Sequence, residues 1–146
     1  MARRRDIRRL SELEELFADL WQMPRLAGMR HAHRPSVDCY RAEDPAELIL
    51  VLELPGADPA AIQVVLDGRK LLVFGERPRP ERAPGRVWYR SEIEYGPFER
   101  ALALPEDVDA DAASASYEAG LLRIVLPIAP KPPTGERVPI EVRAGR

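Results

Sequence analysis

Asparagine is absent from the 146 residues, cysteine occurs once and histidine twice. The single thiol, Cys39, excludes an intramolecular disulfide and suits a reducing compartment. No apolar run approaches the roughly 18 residues of a membrane-crossing helix. The arginine-rich start leads into an amphipathic segment rather than an apolar signal core with a small-residue cleavage site, so the expected location is cytoplasmic, with no membrane partner. Catalytic groups are equally scarce. None of the five serines stands in a Gly-x-Ser-x-Gly turn, and no glycine-rich phosphate loop precedes a helix. His31 and His33 fall in a predicted linker without a cysteine or carboxylate at ligand spacing. Asp107, Asp109 and Asp111 alternate, but the glycine and closing glutamate of a calcium loop are missing, so they read as a solvated acidic turn. Cys39 adjoins Asp38, whose charge opposes a thiolate and disfavours a reactive thiol. The expectation is a non-enzyme with no cofactor and no metal.

What is abundant is proline, at 15 residues against 9 glycines, twice the usual share of about 5%. Long uninterrupted helices are thereby disfavoured. A hydrophobic fraction of 45% over this length fits one compact domain with extensions. The formal charge of −2 conceals blocks of opposite sign. Residues 1–34 hold eight arginines against five acids, residues 35–127 ten bases against seventeen acids, and residues 128–146 four bases against two. An acidic core with basic ends is compatible with ends that touch the core of a neighbouring subunit. Arg3, Arg4, Arg5, Arg8 and Arg9 form a basic cluster, but no interleaved aromatics offer a base-stacking platform, so no specific nucleic-acid partner is expected.

Periodicity divides the chain into an arm over 1–35, a domain over 36–127 and an extension over 128–146. In the arm, Leu13, Leu16, Phe17, Leu20 and Trp21 recur at helical spacing, and Ser11 with Glu14 fits a capping box. A helix of about three turns is marginal alone, so its apolar stripe must pack on something. From Val37 the pattern shifts to short strands: Val37–Tyr40, Glu47–Leu54, Ile62–Asp67, Lys70–Glu76, Val87–Glu92, Phe98–Leu104, Ser114–Tyr117 and Leu121–Leu126. Asp67-Gly68 and Ala119-Gly120 supply hairpin turns, and Asp58-Pro59 an N-cap and first position of a brief helical turn. Regularly spaced strands without crossover helices predict an all-β fold, an immunoglobulin-like antiparallel sandwich.

Alternation places Ile62, Val64 and Leu66 on one face, and Leu122, Ile124 and Leu126 likewise. Residues 47–53 hardly alternate, as in a strand covered on both faces. Arg100 falls in phase with Phe98, Leu102 and Leu104, so it needs a carboxylate or carbonyl partner unless it snorkels past the rim to water. Residues 78–85 are too charged and proline-rich for a core and form an excursion from which Val87, Trp88, Tyr89 and Arg90 return as a strand. Past a proline-punctuated linker, Val138, Ile140 and Val142 alternate near the terminus and read as an extended plug for a groove.

Leu54-Pro55-Gly56, Gly75-Glu76-Arg77, the run Tyr95-Gly96-Pro97-Phe98-Glu99-Arg100 leading to Leu104-Pro105, and the run from Ala115 to Leu122 leading to Leu126-Pro127 resemble the α-crystallin domain of bacterial small heat-shock proteins. The Val138-Pro139-Ile140 tail fits the same family, and the five signals stand in order. The resemblance implies an ATP-independent holdase whose partners are partly unfolded client proteins and other copies of itself, as dimers assembling into larger homo-oligomers. It implies that Gly120 and Leu122 belong to the Ala-x-x-x-x-Gly-x-Leu signature and that Arg100 is the core arginine. It also implies that the segment from Val87 to Glu92 is exchanged between dimer partners, and that Val138 and Ile140 fill a groove on another dimer. Ala119 departs from the asparagine common there, and Val138 from isoleucine. Leu13, Leu16, Phe17, Leu20 and Trp21 are the expected client contacts. The other reading of the same residues is a sandwich adaptor for one specific protein partner, which predicts a single saturable ligand and no activity toward unrelated clients.

Overall fold

The computed structural model describes residues 32–81, 83–129 and 137–145, so the predicted arm helix lies outside the described residues. Within them, nine strands form two sheets: β1 (Val37–Ala42), β2 (Glu47–Glu53), β3 (Gln63–Asp67), β4 (Lys70–Arg77), β5 (Gly96–Ala103), β6 (Ser114–Glu118), β7 (Leu121–Pro127), β8 (Arg137–Ile140) and β9 (Val142–Ala144). One sheet runs β1-β2-β7-β6-β9 and the other β5-β4-β3-β8. All pairings are antiparallel except β6 with β9.

Period-two patterning builds the core. Leu48, Leu50 and Leu52 of β2 and Leu122, Ile124 and Leu126 of β7 meet Val64, Leu66, Leu71 and Val73 of the other sheet, with Phe98 among them. Each such side chain removed from water contributes about 1.5–3 kcal/mol before ordering costs. The weak alternation of β2 has its counterpart in Ile49, which is buried although it points away from this cluster. Val65 and Leu72, register partners on the outer face of the second sheet, are buried as well. Alternation alone assigns that face to solvent, and the structure corrects it.

Turn chemistry follows the residues. Gly68 takes φ +58° as the first central residue of the β3–β4 hairpin, the geometry of a type II′ turn. Ala119 and Gly120, at φ 51° and 78°, are the central pair of the β6–β7 hairpin, as in type I′. Asp58 caps a 3₁₀ turn at Pro59–Ala61 by accepting from the Ala60 N–H at 3.0 Å. The acidic trio is structural too: Asp109 caps the 3₁₀ turn Ala110–Ala112 through the Asp111 N–H, and Asp107 accepts from Arg69 Nε at 2.6 Å. The thiol of Cys39 is pushed above its ordinary value, and the cause is desolvation rather than the neighbouring Asp38 charge.

Gly75 marks the tightest crossing in the core, because a β-carbon there would stand 2.7 Å from both the Ala61 carbonyl oxygen and Phe98 Cζ. Gly75→Ala is therefore expected to destabilise the domain by about 1–3 kcal/mol, read by denaturant unfolding. Ala119 holds a left-handed conformation that costs a side-chain-bearing residue about 1–2 kcal/mol. Ala119→Gly should raise stability by up to about 1 kcal/mol and Ala119→Asn by somewhat less, a gain that vanishes if the turn does not constrain the fold.

Candidate functional site

The described residues that stand out are backbone edges and the segments that cover them. At one side of the sandwich, β3 and β6 border a groove between the sheets, and the tail lies along it. β8 pairs with β3 so that Val138 faces Leu66, Pro139 faces Val65 and Ile140 faces Val64. Proline is tolerated there because β8 is an edge strand. Alternation sends Ile140 inward, where it is 7% exposed and joins the core, while Pro139 stays exposed. The register is fixed at its start by Arg137, whose Nε donates to Asp67 Oδ2 at 3.2 Å. One residue later the tail changes sheets: Val142 faces Ala115 of β6 and packs against the core, and the Gly145 N–H reaches the Tyr117 carbonyl at 2.7 Å. The tail thus binds both sheets, with Glu141 as the only step between them. In the single chain it occupies the chain's own groove, bringing Val138, Ile140 and Val142 together.

At the opposite side, β1 is the outer strand of its sheet and β5 of the other. The start of β5 is covered by His33, which pairs in parallel with Phe98, donates its N–H to the Pro97 carbonyl at 2.9 Å and accepts from Glu99 N at 3.0 Å. β1 has no such neighbour among the described residues, and Tyr40 on it is half exposed. The excursion between β4 and β5 holds the exposed hydrophobic residues Val87, Trp88, Tyr89 and Ile93, with Trp88 at 56% and Tyr89 at 95% exposure. The strand expected over Val87–Glu92 is not formed. A strand needs a partner backbone, and within one chain the neighbouring edge of β5 is already taken by His33. Arg90 stands 3.6 Å from Glu92 on this segment, both highly exposed.

Two arginines sit where the excursion meets the sandwich. Arg100, opposite Val73 in the β4–β5 register, donates through Nη1 to the Pro35 carbonyl at 3.3 Å, so a carbonyl supplies the partner its apolar face required. Arg77 closes β4 and is the buried charge among the described residues, at 9% exposure. Its Nη1 donates to the Glu94 carbonyl at 3.3 Å. The Glu94 carboxylate lies 2.7 Å from His33 Nδ1, and Arg79 stacks over Tyr95 at 5.7 Å. These contacts anchor both ends of the excursion. Sequence reasoning placed His33 in a linker and left Arg77 unassigned. The available signal was its place at the end of Gly75-Glu76-Arg77, where a strand meets a proline-rich segment. Arm residues Leu13, Leu16, Phe17, Leu20 and Trp21 lie outside the described residues. No described helix is long and apolar enough to cross a membrane.

Residues 40–143 match the model of the Hsp20/alpha crystallin family. Among relatives, spore protein SP21 of Stigmatella aurantiaca is 39% identical over 57% of this chain and 49% of its own length. The 22.7 kDa class IV heat shock protein of Pisum sativum is 35% identical over 64% of this chain and 51% of its own. The chain thus spans about half the length of each of these two relatives. The structure of heat shock protein 16.0 from Schizosaccharomyces pombe superposes with a TM-score of 0.61 at 32% identity, covering 71% of this chain and 94% of that one. With its matched region running from the first strand through the tail, the chain belongs to the Hsp20/alpha-crystallin family of small heat-shock proteins.

Proposed function

We propose that this chain is an ATP-independent holdase of the cytoplasm, a non-catalytic chaperone that assembles into homo-oligomers and captures partly unfolded proteins before they aggregate. The observation that carries the reading is the tail in its groove: a short β-paired segment, anchored by one well-buried side chain, seated on a sandwich whose far strand β1 has no neighbour among the described residues. Burial of Ile140 and Val138 contributes about 1.5–3 kcal/mol at most for each, so a single tail contact is reversible. Seven residues separate Ala129 from Arg137, and the same register serves equally on the groove of another copy. Multiplied over a particle, such contacts hold by effective concentration and release on warming.

The dimer is the unit so linked. The segment from Val87 to Glu92, strand-like in composition and unpaired in one chain, docks on the open edge of β1 of a second copy, and by two-fold symmetry the second copy returns the same strand. Released tails uncover the groove, and the arm stripe of Leu13, Leu16, Phe17, Leu20 and Trp21 adds the apolar surface that unfolded clients recognise.

Three measurements test this. Heated with a substoichiometric amount of this protein and no ATP, an unrelated heat-labile protein should scatter markedly less light. Failure with several clients, by a folded and oligomeric sample, favours a single-partner adaptor instead. Val138→Gly with Ile140→Gly should reduce the particle to dimers or small oligomers, and an unchanged mass by light scattering removes the tail from the assembly. Deleting 87–92 should yield monomers in sedimentation, whereas a surviving dimer excludes strand exchange.

A further inference from the structure

Val138, Ile140 and Val142 form an apolar pattern that repeats itself. Shifted by two residues, Ile140 and Val142 would present much the same side chains to β3 as Val138 and Ile140 do. Apolar contact alone therefore does not fix where along the groove the tail stops, nor distinguish this tail from another with β-branched residues at alternate positions. The Arg137–Asp67 pair marks one end. The other end is marked beyond the Val-Pro-Ile run, where the chain leaves β3 and adds to the edge of β6.

That edge is a separate binding strip. It takes Val142, Arg143 and Ala144 as a parallel strand, whereas β3 takes the residues from Arg137 to Ile140 as an antiparallel one. Arg143 and Ala144 are exposed, so the strip reads backbone, one apolar side chain at Val142, and then the absence of a side chain. Gly145 donates its N–H to the Tyr117 carbonyl at 2.7 Å, and a β-carbon on it would stand 2.8 Å from Glu118 Cβ and 3.1 Å from Cγ. Its backbone lies outside the left-handed region, so close approach is what calls for glycine here. Glu118 has little room to withdraw. It pairs with Leu121 across the hairpin, the Tyr117 hydroxyl beside it donates to the Leu54 carbonyl at 2.7 Å, and the Gly120 carbonyl accepts from the Leu54 N–H at 2.8 Å.

From this we infer that residues 142–145 are a second docking segment of the tail, with the β6 edge as its site, and that Glu118 makes this site selective for a tail with glycine five places beyond the buried isoleucine. The occupant is the tail of another copy of this chain, and the inference rests on the tail-exchange reading above. Copies thereby recognise one another's tails at two places. A tail that carries only the Val-Pro-Ile run, or a side chain where Gly145 lies, is held at one.

The test uses the full chain with Val138→Gly, Ile140→Gly and Val142→Gly, so that its own tail leaves both strips free, and fluorescence anisotropy of labelled peptides spanning residues 134–146. Gly145→Val in the peptide should weaken binding about tenfold, the loss of one hydrogen bond and part of a valine's burial. Val142→Gly in the peptide should weaken it comparably, with length and charge unchanged. Glu118→Gly in the protein should restore binding of the Gly145→Val peptide, and the two peptide comparisons decide the matter if that variant does not fold. A Gly145→Val peptide that binds as tightly as the natural one overturns the inference, as does a folded Glu118→Gly protein that still rejects it. A peptide with Val138→Gly and Ile140→Gly separates the two ideas. If it binds as well as the natural peptide, or if the natural peptide does not bind, the tail-exchange reading itself is wrong. If it fails to bind while Gly145→Val costs nothing, only the second segment falls.

Discussion

Backbone hydrogen bonding at the margins of the two sheets constrains everything else in this molecule. A sandwich buries its side chains between its layers, but each sheet still ends in strands whose outward N–H and C=O groups need partners. Here the margin at β3 and β6 is closed by β8 and β9, that at the start of β5 by His33, and that at β1 by nothing among the described residues. Each closing segment is short and joined by at most a few side chains. The molecule therefore has a continuously packed centre and borders closed by short segments.

Side-chain chemistry reinforces this division. The interior is aliphatic, and its one aromatic member, Phe98, is matched by the absence of a side chain at Gly75. Charges gather where segments leave or join the sandwich: Arg137 with Asp67 where the tail begins, Arg69 with Asp107 beside the β3–β4 hairpin, His33 with Glu94 where the excursion returns. Where such pairs are exposed they contribute little to stability, about 0–1 kcal/mol, but they fix where the adjoining segment lies. Arg77 is different in kind because it is buried and permanently charged.

Most of the sandwich was legible in the chain because its strands obey alternation and are bounded by turn residues. Leu122, Ile124 and Leu126 point inward as their spacing requires, and Asp58-Pro59 begins a helical turn. What alternation missed depends on contacts that no local pattern encodes. Val65 and Leu72 are buried on a face that period two assigns to solvent. The segment from Val87 to Glu92 has the composition of a strand but pairs with no backbone among the described residues. Arg77 was legible only as the end of Gly75-Glu76-Arg77, since its burial follows from the course of Glu94 and Gly56 around it. Val142 was legible as part of a plug, but its parallel pairing with β6 was not, because that depends on the tail changing sheets at Glu141.

The tail's crossing makes it a gauge as well as a plug. Ile140 is registered on one sheet and Val142 on the other, with a single residue between them. Both contacts are satisfied together only while the layers keep their native separation. A linkage of one residue leaves no slack for that separation to change. The hold of the tail is thereby tied to the packing of the interior as well as to its own contacts.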